Sequence, residues 1–403
     1  MNSSAKFYKI IFVLTVILLL LLGLIFLLFS GRSTGVTDNY YNSLSNDIPA
    51  TTLLDIKGCF DKAETEFQKC LDGFLADYGK DKAVSELLRE LETARLQDNS
   101  IDTQCHPLSH AIGRFALSKH ENVGDAFEQC DFTCQSGCYH GVMERLFFTS
   151  EEIAAGIRHL TYDDFKTRLP GICDASKFSN PNSTVIFNCL HGAGHAVMYS
   201  INYKLQPALD SCDLFETEYE RLACYGGVFM ENITAFDKSK RDLKPDDPNY
   251  PCNFVDVKYR QSCYELQTSA MMEYGLEWDT ISDICNDLPQ FNVACFRSFG
   301  RDLSNFVRNG RNSEVARVCQ KHGKIYAESC IEGAVKATID VYPDLKISSP
   351  FCNSVEEQNL DYCYGVSTSY LSGVYSIPKD QIQQNCRDYA GTNSQRCLNS
   401  ITF

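Results

Sequence analysis

One apolar run stands apart from the rest of the chain. Ile10 to Phe29 is broken only by Thr15 and Gly23. Twenty residues at a helical rise of about 1.5 Å span roughly 30 Å, the thickness of one hydrocarbon core. This predicts a transmembrane helix over residues 10–29. Lys6 and Lys9 precede the run and Arg32 follows it, so the positive-inside bias places residues 1–9 in the cytoplasm. The flank Leu28-Phe29-Ser30-Gly31 lacks a small-x-small cleavage site, and the run reads as an uncleaved signal-anchor. Residues 30–52 are polar, with Gly, Ser, Asn and a Pro, and read as a flexible stalk.

From residue 53 to 403 the pattern changes. Apolar positions recur at i, i+3 and i+4, the period of a half-buried helix. No Asn-Gly or Asp-Gly pair separates two alternating runs, so hairpin strands are not expected. The helical runs are marked by cysteines: Cys70, Cys105, Cys138, Cys189, Cys224, Cys263, Cys295, Cys330, Cys363 and Cys397. Successive spacings are 35, 33, 51, 35, 39, 32, 35, 33 and 34. The long one implies an insertion between Cys138 and Cys189. Most of these cysteines have an upstream mate: Cys59/Cys70, Cys212/Cys224, Cys252/Cys263, Cys285/Cys295, Cys319/Cys330, Cys352/Cys363 and Cys386/Cys397, with Cys173/Cys189 as a stretched version. Cys105, Cys130, Cys134 and Cys138 are left as two bridges of open pairing. Each unit then reads as a short helix A, a turn and a longer helix B, with a disulfide from the end of A to the middle of B. Start signals place the A helices near Thr280, Ser313 and Ser376.

A hairpin of this size cannot bury its apolar face alone, and stacked hairpins share a continuous core. The period and the stapling together resemble the disulfide-bridged Sel1-like repeats, a relative of the tetratricopeptide class. The resemblance covers about residues 53–403, is architectural, and carries no functional residue. The expected fold is all-α: an αα-hairpin solenoid, or a closed α/α toroid, of about ten units.

Composition narrows the setting. Twenty cysteines fit disulfides outside a reducing cytosol. With the anchor, they predict a single-pass protein of the cell membrane whose C-terminal domain is extracytoplasmic. The formal charge is 37 − 52 = −15, which argues against nucleic acid as a partner. Two sequons, at Asn182 and Asn232, are short patterns that arise often by chance.

The histidines supply the candidate chemistry. His120, His159 and His322 sit in polar contexts. The other five follow the repeat cysteine in three successive units: His106 and His110 in CHPLSH, His140 in CYHGVME, His191 and His195 in CLHGAGH. Two of these are i,i+4 pairs, and Glu144 stands at the same spacing from His140, so three B helices each present a two-ligand face. Imidazole is a common transition-metal ligand. The expected metal ligands are therefore His106, His110, His140, Glu144, His191 and His195, for Fe, Zn, Cu or Mn, and haem b is a rival occupant. Small residues around them (Ala111, Gly113, Gly141, Gly192, Ala193, Gly194, Ala196) signal close helix approach or room for a ligand. Glu231, in the fourth unit, is a candidate outer or direct ligand. Without H-E-x-x-H, G-x-S-x-G or a P-loop, no reaction is specified.

Three classes of function fit. The first is a metal-dependent oxidase, hydroxylase or hydrolase, similar in plan to the HEAT-repeat lysine hydroxylase with its His/Glu dimetal centre, with residues 150–175 as a lid. The second is a non-catalytic metal or haem binder. The third is a scaffold or adhesion repeat that takes a protein or small molecule in its groove, with the histidines only packing.

Overall fold

The computed structural model describes residues 52–62, 64–120, 122–148, 159–178, 181–235 and 237–401. The expected membrane helix at 10–29 and nearly all of the stalk lie outside these residues. Among the described residues no helix is long and apolar enough to cross a membrane. All regular structure in them is helical.

The α-helices run in chain order as α1 (Glu64–Tyr78), α2 (Val84–Gln97), α3 (Asn99–Thr103), α4 (Cys105–Lys119), α5 (Val123–Glu128), α6 (Thr133–Leu146) and α7 (Tyr162–Arg168). Then follow α8 (Ser183–Ser200), α9 (Leu205–Cys212), α10 (Glu218–Thr234), α11 (Val257–Tyr264), α12 (Thr268–Glu273) and α13 (Trp278–Asn286). The last are α14 (Asn292–Arg308), α15 (Asn312–Cys319), α16 (Lys324–Ile339), α17 (Ser348–Cys352), α18 (Glu357–Gly373), α19 (Lys379–Tyr389) and α20 (Ser394–Asn399). Short and long helices alternate as the cysteine spacing predicts from α3 to α10 and from α13 to α18, but α1 and α2 are both long, the long helix expected around Cys263 is split into α11 and α12, and in the last unit α19 is longer than α20. Several starts are capped by side chains. Thr217 accepts from the Glu220 N–H while Glu220 returns a bond to the Thr217 N–H, and Asn182 accepts from the Val185 N–H. The helix expected to begin near Thr280 starts earlier, at Trp278, with no side-chain cap. A buried face at Ile281, Ser282 and Cys285, rather than a capping residue, sets its course.

Every cysteine is bridged. The eight local pairs named from the spacing are joined, with Cα atoms 5.3–5.7 Å apart. The open set resolves as Cys105–Cys134 and Cys130–Cys138. The second cysteine lies in the first half of the long helix more often than at its middle, as Cys295 does in α14. Each short loop adds roughly 2–3 kcal/mol by the chain-entropy model, which matters where a unit touches only its neighbours.

The long helices pack in sequence: α4 on α6, α6 on α8, α8 on α10, and later α14 on α16 and α16 on α18. At three of these contacts glycine lets the backbones touch. A Cβ on Gly113 would overlap the Cys138 carbonyl, and one on Gly141 the His110 carbonyl. Gly194 and Gly227 repeat this against the Cys224 and His191 carbonyls, and Gly300 and Gly333 against those of Cys330 and Arg297. Close approach is thus the role of these glycines. Residues far apart in sequence also meet: the Phe132 and Tyr375 rings lie 5.1 Å apart, and Arg308 is within electrostatic reach of Arg95 and Asp102.

The two sequons differ. Asn182 is exposed at a helix start, whereas Asn232 is 1% exposed and bonds through both side-chain ends to the backbone of Asp242.

Glycines at and away from the contacts make opposite predictions. Gly300→Ala forces α14 off α16 and should destabilise the fold by about 1–3 kcal/mol. In Gly365→Ala the added methyl meets nothing within 4 Å, and helix propensity should raise stability by about 0.5–1 kcal/mol. Denaturant titration of the two variants checks both signs.

Candidate metal centre

Three consecutive long helices bring the histidines together. His106 and His110 come from α4, His140 from α6 and His195 from α8. One ring nitrogen from each of these four lies within 4.8 Å of all the others. Ring centroids are 4.5 Å apart for His106 and His110, 5.3 Å for His110 and His140, and 4.2 Å for the stacked His140 and His195. His110, His140 and His195 are buried and His106 is partly so. Imidazoles are short. They meet because the glycine contacts bring the α4 and α6 backbones together at Gly113 and Gly141.

The outer hydrogen bonds fix which nitrogen faces inward. His106 Nδ1 lies 2.7 Å from the Cys134 carbonyl oxygen. That oxygen only accepts, so Nδ1 carries the proton and Nε2 a lone pair. His110 Nδ1 lies 2.6 Å from Glu144 Oε1. Glu144 is itself held by Arg114, whose Nη1 is 2.8 Å from Oε2, and Arg114 also pairs with Asp72. Burial pushes the Glu144 carboxyl up, but His110 and Arg114 outweigh it and hold it down at about 2. It is a carboxylate, and His110 donates to it. His195 Nδ1 is 2.8 Å from Glu231 Oε2, and Glu231 Oε1 accepts from the Tyr203 hydroxyl at 3.0 Å. A ligand imidazole commonly donates its second N–H to a carboxylate or carbonyl in this way.

One distance has direct chemical content. His106 Nε2 and His110 Nε2 are 3.0 Å apart. Both Nδ1 atoms are committed as donors. A lone pair on His106 therefore faces His110 Nε2, and something positive must lie between them. It is either a proton, which makes His110 an imidazolium, or a metal cation. His195 Nε2 and both ring nitrogens of His140 are buried without a hydrogen-bond partner among the described residues. Each such orphan costs about 1–3 kcal/mol. A single ion would satisfy the set. Zn–N bonds of about 2.0–2.1 Å give tetrahedral N···N edges of about 3.3 Å. The His106–His110 spacing is already near that, and the widest spacing closes from at most 4.8 Å.

The remaining sequence candidates have other places. Glu144 is not in the converging group; it orients His110. His191 is also outside it. Its ring stacks on Phe187 at 5.5 Å and abuts Gly226; it lies beside the cluster, 5.2 Å from the His140 ring, but its nitrogens do not join the four that converge. Glu231 takes the outer position that was one of its two expected roles. Sequence reasoning missed Cys134, Arg114, Asp72 and Tyr203. Arg114 had a signal, since it follows His110 by four residues on one helix face. The Cys134 carbonyl had none. Among the other histidines, His322 sits 3.1 Å from exposed Asp283 and His159 is exposed. Part of the insertion expected as a lid, residues 149–158, lies outside the described residues. Its remainder is tied down by the Leu160 N–H to the Ser200 carbonyl and by Cys173–Cys189.

No family model, curated protein or solved structure matches the chain.

Burial lowers His106, His140, His191 and His195. It pulls His106 to about 3, with neighbouring His110 adding to the effect, and His191 to about 4. His140 and His195 fall well below the ordinary value, by burial first and then by the other histidines. Unfolded histidine titrates near 6.5. Between that value and 3–4 the unfolded metal-free chain binds more protons than the native one, so stability falls as pH falls. The chelator-treated protein should keep full stability above about pH 6.5 and lose it progressively below. A denaturation midpoint that stays flat from pH 7 to about 4.5 would contradict the neutral, buried state of these rings.

Proposed function

We propose that this protein is a membrane-anchored, extracytoplasmic helical-repeat protein that holds one transition-metal ion through His106, His110, His140 and His195. The observation that carries the reading is the 3.0 Å approach of two Nε2 atoms whose Nδ1 atoms are both engaged outward. Neutral imidazoles suit zinc, copper or iron better than hard cations such as magnesium or calcium. The ring centroids stand 4.2–5.9 Å apart, too close to admit a porphyrin between them, which favours an ion over haem b. Four protein ligands fill a tetrahedral ion and leave no open position. Retention of the ion, rather than turnover, is the function this supports. An ion so held ties three hairpins together, where all the bridges but Cys105–Cys134 tie only one.

The repeat units form a stapled stack in this reading. The Phe132–Tyr375 contact and the approach of Arg308 to Arg95 and Asp102 favour a stack that curls back on itself. Ten disulfides fit an oxidising compartment, and residues 10–29 would supply the membrane tether.

Elemental analysis of the full chain should find one transition-metal ion per molecule. Replacing His110 and His195 together by Ala should abolish it while helicity is kept. Glu231→Gln should weaken binding about 10–100-fold, the usual effect of losing an outer-shell partner. Stoichiometric metal in the double variant would place the ion elsewhere and end the proposal.

A further inference from the structure

The Cys105–Cys134 bridge differs from the other nine. Those close loops of 8–16 residues, whereas this one spans 29. It joins the start of α4 to the start of α6, two of the helices that carry the histidines. One of its cysteines immediately precedes His106. The other supplies the carbonyl that accepts from His106 Nδ1 at 2.7 Å. Around that carbonyl the backbone is unusual. Cys134, Gln135 and Ser136 all have positive φ, at 52°, 60° and 64°, a run that L-residues rarely hold unaided. Cys130–Cys138 brackets the run and Cys105–Cys134 pins its first member. Cys134 is partly exposed, while all other bridge cysteines except Cys70 are buried.

We infer that the Cys105–Cys134 disulfide is a positioning element of the metal centre, and that its reduction releases the ion. The inference rests on the metal-holding reading above. The bridge holds the left-handed turn, the turn aims the Cys134 carbonyl, and the carbonyl keeps the His106 proton on Nδ1 so that Nε2 faces the ion. A dithiol is the class of reductant that would act. One thiolate attacks the sulfur of Cys134, the more exposed of the two residues, the S–S bond breaks, and Cys105 leaves as a thiolate that takes up a proton. The second thiol then closes the reductant's own disulfide and frees Cys134. Two electrons and two protons pass to the cysteines. With the bridge open, residues 134–136 relax toward ordinary helix, the carbonyl withdraws, and His106 loses its fixed orientation.

Co(II) is the probe, because its visible bands report ligand number and geometry. Full chain carrying Cys105→Ser with Cys134→Ser should bind Co(II) about 10–100-fold more weakly with altered bands. Cys319→Ser with Cys330→Ser removes a bridge between α15 and α16, which carry none of the clustered histidines, and should bind as the parent does. Equal affinity and identical bands in the first variant would overturn the inference. So would equal weakening in both, which would mark a general loss of stability. If the first variant does not fold, the Co(II)-loaded parent is reduced stepwise with a water-soluble phosphine and its free thiols are alkylated. Release of Co(II) in step with alkylation of Cys105 and Cys134 supports the inference, and retention after both are fully alkylated defeats it. A parent chain that binds no Co(II) at all would instead end the metal reading itself.

Discussion

Contact between helix backbones is the constraint on which the rest depends. An imidazole reaches only a few ångströms from its helix, so four of them from three helices converge only if those helices nearly touch. Gly113 and Gly141 make that possible between α4 and α6, and Gly194 with Gly227 seats α8 on α10, where Glu231 waits for His195. Any side chain at Gly113 or Gly141 would push α4 and α6 apart and open the cluster. The disulfides act on the same constraint from outside, by fixing where each long helix starts relative to its short partner.

Burial then decides the chemistry. Water that would satisfy the ring nitrogens at a surface is excluded here, and the outer partners each claim one nitrogen per ring. Three anchors differ in kind: a carbonyl for His106, a carboxylate backed by arginine for His110, and a carboxylate backed by tyrosine for His195. All three leave Nε2 facing inward. The inward nitrogens lie too close to be neighbours without a positive charge among them.

Much of this was legible in the sequence, and the legible part has a common physical basis. Cysteine spacing reports local geometry, because a bridge 10–16 residues long staples one turn-linked hairpin; the eight local pairs were readable for that reason. The pairing of Cys105, Cys130, Cys134 and Cys138 was not, since it depends on a left-handed run without glycine at residues 134–136. The i,i+4 rule found the histidines and Glu144, but it reports a shared face on one helix, not where that face points. It therefore could not say that Glu144 turns toward His110 on the neighbouring helix, or that His191 turns toward Gly226. The Cys134 carbonyl was beyond reach, because any residue type has one.

The third glycine contact, at Gly300 and Gly333, places different side chains at matching positions. Arg297 stands where His110 and His191 stand, three residues before the glycine, and Glu332 stands where His140 does. Glu332 lies between Arg297 and Lys336, at 3.4 and 2.5 Å. The same glycine joint thus carries imidazoles in one part of the chain and an ion pair in another. Ion pairs partly open to solvent weaken as ionic strength rises, whereas the Arg114 pairs beside the histidines are more deeply buried and less screened. Salt consequently reaches the side chains around the joint at α14 and α16 more readily than those at α4 and α6, while the glycine contacts keep both joints shut.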